Sequence, residues 1–298
     1  MSILALNTTN VMVQGITGGA ARHHTKNMLE YGTRIVAGVR PGAGGELVEG
    51  VPVYDSVQEA CKYHKVDASV LFVPAARVKD AAMEAIQNGI KLLVIHAEHV
   101  PLHDVMIVLE EARSSGATVI GPNTPGIISP PEKTKLGFMP SSYFQAGPLG
   151  VASRSGTLTY ELVFRLSSAG VGQSTVIGVG GDRIVGLRFQ QTLELFNEDP
   201  ETRAVLLIGE IGGSMEEEAA EFISDGRFHK PVFAFLAGYT APHGQRVGHS
   251  GAFIDRSKGR VEDKIRALAE AGVSVGRTLA EVVELVRTSV TNLGSSYA

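Results

Sequence analysis

The chain has a single cysteine, Cys61. One thiol can form neither an intrachain disulfide nor a cysteine-cluster metal site, so both are excluded. Long apolar runs are missing too: nothing approaches the roughly 18 consecutive residues that a membrane-crossing helix needs, and no membrane contact is expected. The opening residues lack the basic start, apolar stretch and cleavage site of a secretory leader, which makes the cytoplasm the expected compartment. Neither sign of charge dominates, with 27 Lys and Arg against 31 Asp and Glu. That balance argues against a polyanion-binding surface, and no nucleic acid is expected as a partner. No Gly-Lys dipeptide occurs anywhere, which excludes a Walker A nucleotide loop in this chain.

What the sequence does have is alternation. Short runs rich in Val, Ile and Leu are separated by stretches of helical period, the pattern of parallel strands with covering helices, and 298 residues leave room for two such units. The fold class expected is α/β. In the first half, strands are predicted at 11–15, 34–39, 68–74, 91–97 and 117–121, with helices starting near Ala20, Ser56, Arg77 and Leu102. Residues 129–148, "SPPEKTKLGFMPSSYFQAGP", keep neither period and read as a connection between domains. A second series of strands follows at 149–153, 174–180, 204–209 and 232–237, giving domains at 1–128 and 149–298. The tail "GSSYA" is expected to be disordered.

In open parallel sheets ligands bind beyond the carboxyl ends of strands, and the unusual stretches all fall there. "QGITGGAARHH" follows the first strand and opens the first helix, where free N–H groups and the helix dipole receive phosphate. Gly15, Gly18 and Gly19 do not make G-x-G-x-x-G, and the second strand ends on Arg40 instead of an acid, which disfavours NAD. An arginine there suits the extra ribose phosphate of CoA or NADP; the other reading is a tight turn that needs glycine for its backbone alone. "RPGAGGE" (40–46), "VPAARVKD" (73–80) and "GPNTPG" (121–126) are further turns on the same edge. His96, His99 and His103 crowd together, yet their spacing straddles a strand end and a helix start, so no metal is expected and Glu98 is read as a polar group facing the pocket.

In the second series, Ser153, Ser155 and Gly156 stand where a strand gives way to a helix. Hydroxyls and free N–H groups there suit a phosphate, although Ser155 reads equally well as an N-cap. Glu210 ends a strand ahead of an acidic helical turn and could accept a hydrogen bond from one ring nitrogen of a histidine, leaving the other nucleophilic. Such a histidine is available in "GQRVGHSGAF": His249 lies between Gly248 and Gly251, with Arg246 three residues before it. A phosphorylated imidazole keeps a reactive N–P bond, so this loop could carry a phosphoryl group to a carboxylate.

Together, "QGITG", "GPNTPG", "SRSGTLTYE", "GGDRIVG", "GEIGGSMEEEAA" and "TAPHGQRVGHSGA" resemble, in order and over essentially the whole chain, the α subunits of the succinyl-CoA synthetase family, which is related to malate–CoA ligase, citryl-CoA synthetase and ATP-citrate lyase. The resemblance implies a Rossmann-like CoA-binding domain followed by a flavodoxin-like ligase domain. It also implies a β subunit with an ATP-grasp site for ATP or GTP and Mg²⁺, in a heterodimer or heterotetramer. His249 would be phosphorylated and Glu210 would hold it; Ser153, Ser155, Gly156 and Thr157 would bind the phosphate. CoA would meet Gly15, Thr17, Gly18, Gly19, Arg40, Pro41, Val73, Pro74, Ala75, Glu98 and Asn123, and the acid would meet Thr159, Tyr160 and Arg183.

Some positions depart from the family pattern. Ala43 stands where a lysine is usual and Thr124 where a cysteine is usual, while Ala97, Glu98 and His99 replace "TEG". The overall resemblance makes succinate the expected acid, but "GGDR" (180–183) replaces "GGDP" and is similar to the citrate-activating enzymes; Arg183 could meet an additional carboxylate or hydroxyl, which makes malate or citrate the alternatives. An NADP-dependent oxidoreductase and a CoA-binding regulatory protein are the readings of another class; both leave Glu210 and His249 without a use.

Overall fold

The computed structural model describes residues 2–239, 248–253 and 259–295. Its first unit runs β1 (Val11–Gln14), α1 (Gly19–Tyr31), β2 (Ile35–Val39), β3 (Leu47–Val48), β4 (Val51–Tyr54), α2 (Val57–Tyr63), β5 (Ala68–Leu71), α3 (Val78–Gln87), β6 (Leu92–Ile95), α4 (Leu102–Ser115) and β7 (Thr118–Ile120). The sheet order is β3-β4-β2-β1-β5-β6-β7, parallel except for the β3–β4 pair. Without β3 this is the 3-2-1-4-5-6 order of a Rossmann fold, which reverses direction between β1 and β5. β5 and β6, "ASVL" and "LLVI", are buried at every position because helices cover both faces, and this is why they read as unbroken apolar runs. Ser56 caps α2 by accepting from the Glu59 N–H, and Gly116, left-handed at φ 63°, ends α4.

The second unit comprises β8 (Gly126–Ser129), β9 (Thr134–Gly137), β10 (Ala146–Ser153), α5 (Gly156–Ser168), β11 (Gln173–Gly178), α6 (Phe189–Glu198), β12 (Ala204–Glu210), α7 (Met215–Ser224), β13 (Val232–Ala237), α8 (Val261–Glu270), β14 (Ser274–Gly276) and α9 (Leu279–Ser295). The order is β14-β13-β12-β10-β11-β8-β9. Its five parallel strands follow the flavodoxin order 2-1-3-4-5, with β10 at the switch point.

The stretch 129–148 is not the unstructured connection that its composition suggests. β8 and β9 form a hairpin that extends the second sheet antiparallel to β11, and β10 starts at Ala146. The hairpin escapes sequence reading because its strands are four residues long, are separated by Pro130 and Pro131, and are buried at every position, so no alternation develops. Of the tail expected to be disordered, Gly294 and Ser295 lie within α9, and 296–298 fall outside the described residues.

The two units share one core. Val11, Val94 and Ile120 of the first sheet belong to the same buried cluster as Ile177 of β11 and Val179 and Leu187 of the segment that follows it. The Leu187 N–H donates to the Val119 carbonyl at 2.7 Å, carrying backbone pairing across the seam.

Candidate active site

At the β1/β5 switch point lies a cavity of about 1030 Å³. Gly15, Thr17, Gly18, Arg40, Pro41, Val73 and Pro74, seven of the eleven residues assigned to CoA from the resemblance, border it. Gly15 is needed for its backbone: φ is +76°, and a Cβ there would collide with the Phe72 carbonyl oxygen. Phe72, Arg77, Asp80 and Glu84 also border the cavity. The sequence alone gives Arg77 and Asp80, in the 73–80 turn of this edge, no role of their own and does not single out Phe72 or Glu84; the sheet order sets the end of β5 beside Gly15.

The remaining four expected residues do not border the cavity. Gly19 opens α1, and Ala75 lies in a short 3₁₀ turn. Glu98 is exposed, 3.8 Å from His99, and so is corrected from the pocket-facing role: the left-handed backbone of His99 (φ 61°), at the position where "TEG" ends in glycine, belongs to a surface turn. Ala43 is buried with Val13, Ile16 and Val53, so Arg40 and Arg77 are the cations on this cavity. The three histidines diverge. His96 turns inward, bonds the Thr124 carbonyl through Nδ1 at 2.7 Å and is pushed down to about 4 by burial, whereas His99 and His103 face solvent.

At the second switch point the groups are charged side chains. His249 Nδ1 lies 3.0 Å from Glu210 Oε2, at the end of β12. This contact leaves Nε2 as the ring nitrogen free to react, and the hydrogen bond to Glu210 raises the imidazole above its ordinary value. On its other side the ring lies against Gly181, just beyond β11, where any Cβ would collide with it. β10 sits between β11 and β12, so the histidine loop crosses over the carboxyl end of β10, where α5 begins. Ser250 Oγ donates to Asp182 at 2.8 Å, and the Asn123 amide donates to the same carboxylate oxygen at 3.1 Å. Asn123 therefore joins the first unit to the histidine loop, a place its sequence position alone did not give. Arg246 lies outside the described residues.

Ser153 and Ser155 are buried. The Ser153 hydroxyl donates to the Ser155 carbonyl and accepts from the Ser155 N–H, while Ser155 caps α5 by accepting from the Leu158 N–H. Gly156 and Thr157 open the helix, so their N–H groups are among those with no intrahelical partner. Arg183 borders a second cavity, of about 620 Å³, with Arg154, Asp182 and Arg188. Thr159 and Tyr160 do not border it. Thr159 is fully buried with its hydroxyl on the Ser155 carbonyl, and Tyr160 packs against the core under the sheet, because both lie on the inward half of α5.

Residues 7–99 match the CoA binding domain family, and residues 152–274 match the CoA-ligase family. The chain is 54% identical over 286 residues to succinate–CoA ligase [ADP-forming] subunit alpha 2 of Archaeoglobus fulgidus, covering 96% of this chain and 99% of that protein. It is 49% identical to the ADP-forming sulfoacetate-CoA ligase subunit SqwL of an Acholeplasma species, covering 92% and 94%. In fold it is similar to ATP citrate lyase of Methanothrix soehngenii, solved with citrate and coenzyme A: the TM-score is 0.90 at 23% identity, over 99% of this chain and 51% of that one. These matches bear out the expected CoA ligase α subunit, which implies a β partner, and set the oxidoreductase alternative aside. A Rossmann-like CoA-binding domain and a flavodoxin-like ligase domain, sharing one core and carrying these motifs in order, place the chain in the family of succinate–CoA ligase α subunits.

Proposed function

We propose that this chain, with a nucleotide-binding β subunit of ATP-grasp type, joins succinate to CoA in three steps. In the first, His249 Nε2 attacks the terminal phosphorus of ATP or GTP held on the partner; the N–P bond forms and the bond to the diphosphate breaks. Next, a carboxylate oxygen attacks that phosphorus, and the N–P electron pair returns to the ring. Finally the CoA sulfur attacks the acyl carbon, phosphate leaves, and the thiol proton passes to phosphate or solvent. Mg²⁺ in this reading accompanies the nucleotide on the partner.

Glu210 holds the Nδ1 proton throughout, so that Nε2 keeps its lone pair. The N–H groups of Gly156 and Thr157 receive the phosphoryl group at the start of α5, with Ser153 and Ser155 shaping that turn. CoA fits the β1/β5 cavity: Gly15 lets a diphosphate approach the backbone, and Arg40 and Arg77 supply charge for its phosphates. The observation that carries the reading is the 3.0 Å contact of Glu210 with His249 Nδ1.

A second acid remains in contention because of Arg183. Among the described residues it has no carboxylate within ion-pair distance, and it borders the 620 Å³ cavity, so it could meet an extra anionic group as in malate or citrate. The test is to purify the chain with its partner, add γ-labelled ATP or GTP, and chase acid-labile phosphate on His249 with CoA plus succinate, malate, citrate or sulfoacetate separately. Discharge by succinate alone supports the reading, discharge by another acid replaces the substrate, and no label with either nucleotide overturns the mechanism.

A further inference from the structure

Behind Glu210 lies a row of buried charges that holding one histidine does not by itself require. Arg154, in the turn after β10, is 3% exposed; Glu216 and Lys264 are wholly buried. Arg154 Nη1 donates to the carbonyls of Glu210 (3.1 Å) and Gly212 (2.9 Å) and to the Glu216 carboxylate (2.9 Å), and its Nη2 stands 3.4 Å from Glu210 Oε1. Glu216 in turn accepts from the Glu210 N–H at 3.1 Å and from Lys264, which also reaches Glu217. Glu210 is thus held at its N–H, its carbonyl and its carboxylate. A Cβ at Gly209 would stand 2.6 Å from Glu216 Oε1, so the strand end is pressed onto this pair.

We infer that Arg154 is a positioning residue for the histidine: it fixes where Glu210 points and opposes the negative charge that Glu210 presents to the imidazole, with Glu216 and Lys264 as its counterweight. The inference rests on the reading of His249 as the phosphoryl acceptor. Ions taken out of water are retained only when each is paired, and a single-purpose clamp on Glu210 would need no second acid and second base. The pairing sets a compromise. Glu210 favours the ring with a proton on both nitrogens, the form that has no lone pair for phosphorus, and Arg154 beside it opposes that pull. Three charged groups face the ring: Glu210 from β12, Asp182 from beyond β11, and Arg154 from beyond β10. The first two raise its proton affinity and Arg154 lowers it.

The test reads the ring directly. Histidine C2 hydrogen exchange, followed by mass spectrometry in the αβ complex, gives the titration midpoint of His249 without any phosphoryl transfer. Arg154→Met should move that midpoint up and Glu216→Gln should move it down, each by about half a unit or more, a roughly threefold change in the neutral fraction near the midpoint. The acid limb of His249 phosphorylation should follow in the same two directions. A purely structural role predicts lower melting temperatures in both variants with no opposed shifts, and an unmoved midpoint in either folded variant overturns the inference. Should Arg154→Met fail to assemble, the downward shift in Glu216→Gln decides alone. Opposed shifts without phosphorylation would instead remove the proposed function and leave the positioning role standing.

Discussion

At the carboxyl edge of the first sheet the cavity is bordered by glycine and proline turns, by apolar side chains such as Phe72 and Val73, and by Arg40, Arg77, Asp80 and Glu84. Behind the corresponding edge of the second sheet lie buried charged side chains, Glu210, Arg154, Glu216 and Lys264, each paired with others. The same open-sheet rule places both edges, yet in the proposed reading one accepts a ligand and the other tunes an atom. A binding surface needs room and donors, which glycine turns supply. A group that must form and break a bond to phosphorus needs a fixed direction and a fixed basicity, which only opposed charges in a dry setting supply.

That contrast can be broken by substitution. His249→Asn should remove acid-labile label and reduce turnover to about a thousandth or less while the protein still folds and melts cooperatively, as labelling and calorimetry would show. Glu210→Gln should slow phosphorylation about a hundredfold. It should also shift the pH profile: the Glu210 hydrogen bond raises His249 above its ordinary value, so the wild-type acid limb lies high and the variant's lies lower. By the same linkage, the pairing contributes stability that is fully present below the unfolded imidazole value and is lost as pH rises through the raised folded value. Melting curves of both proteins across that window should converge toward high pH.

Variants at the first edge should behave differently. Gly15→Ala forces a side chain onto the Phe72 carbonyl at φ +76°, and should cost about 1–3 kcal/mol of stability and raise the KM for CoA about tenfold. Arg40→Ala and Arg77→Ala should each raise that KM only severalfold, more at low salt than at high. In all three the His249 label should form at the wild-type rate. A lost label there, or a changed KM for CoA in Glu210→Gln, would blur the division between the edges.

Much of this was legible because parallel strands covered on both faces leave unbroken apolar runs, and because glycine and proline punctuate the turns where ligands sit. β5, β6 and β12 could be read directly, and so could Gly15, Arg40, Glu210 and His249. Less legible were contacts between distant segments. Nothing in the spacing brings Asn123 to Asp182 and Ser250, Arg77 to Gly15, or Arg154 to Glu216, since each pairing depends on strand order. Thr159 and Tyr160 lie away from the cavity that Arg183 borders for a related reason: the helix period of α5 turns them toward the sheet.

The core shared by Val11, Ile120, Ile177 and Leu187 has a consequence for how the thiol arrives. Only residues 121–125 separate β7 from β8, and the backbone pairs across the seam, so the chain offers no slack there for a hinge. In the proposed reading, with CoA in the β1/β5 cavity, the interval from that cavity to the imidazole is then a built-in ruler: a thiol carrier whose arm is a few bonds shorter would dock and yet fall short of the acyl group.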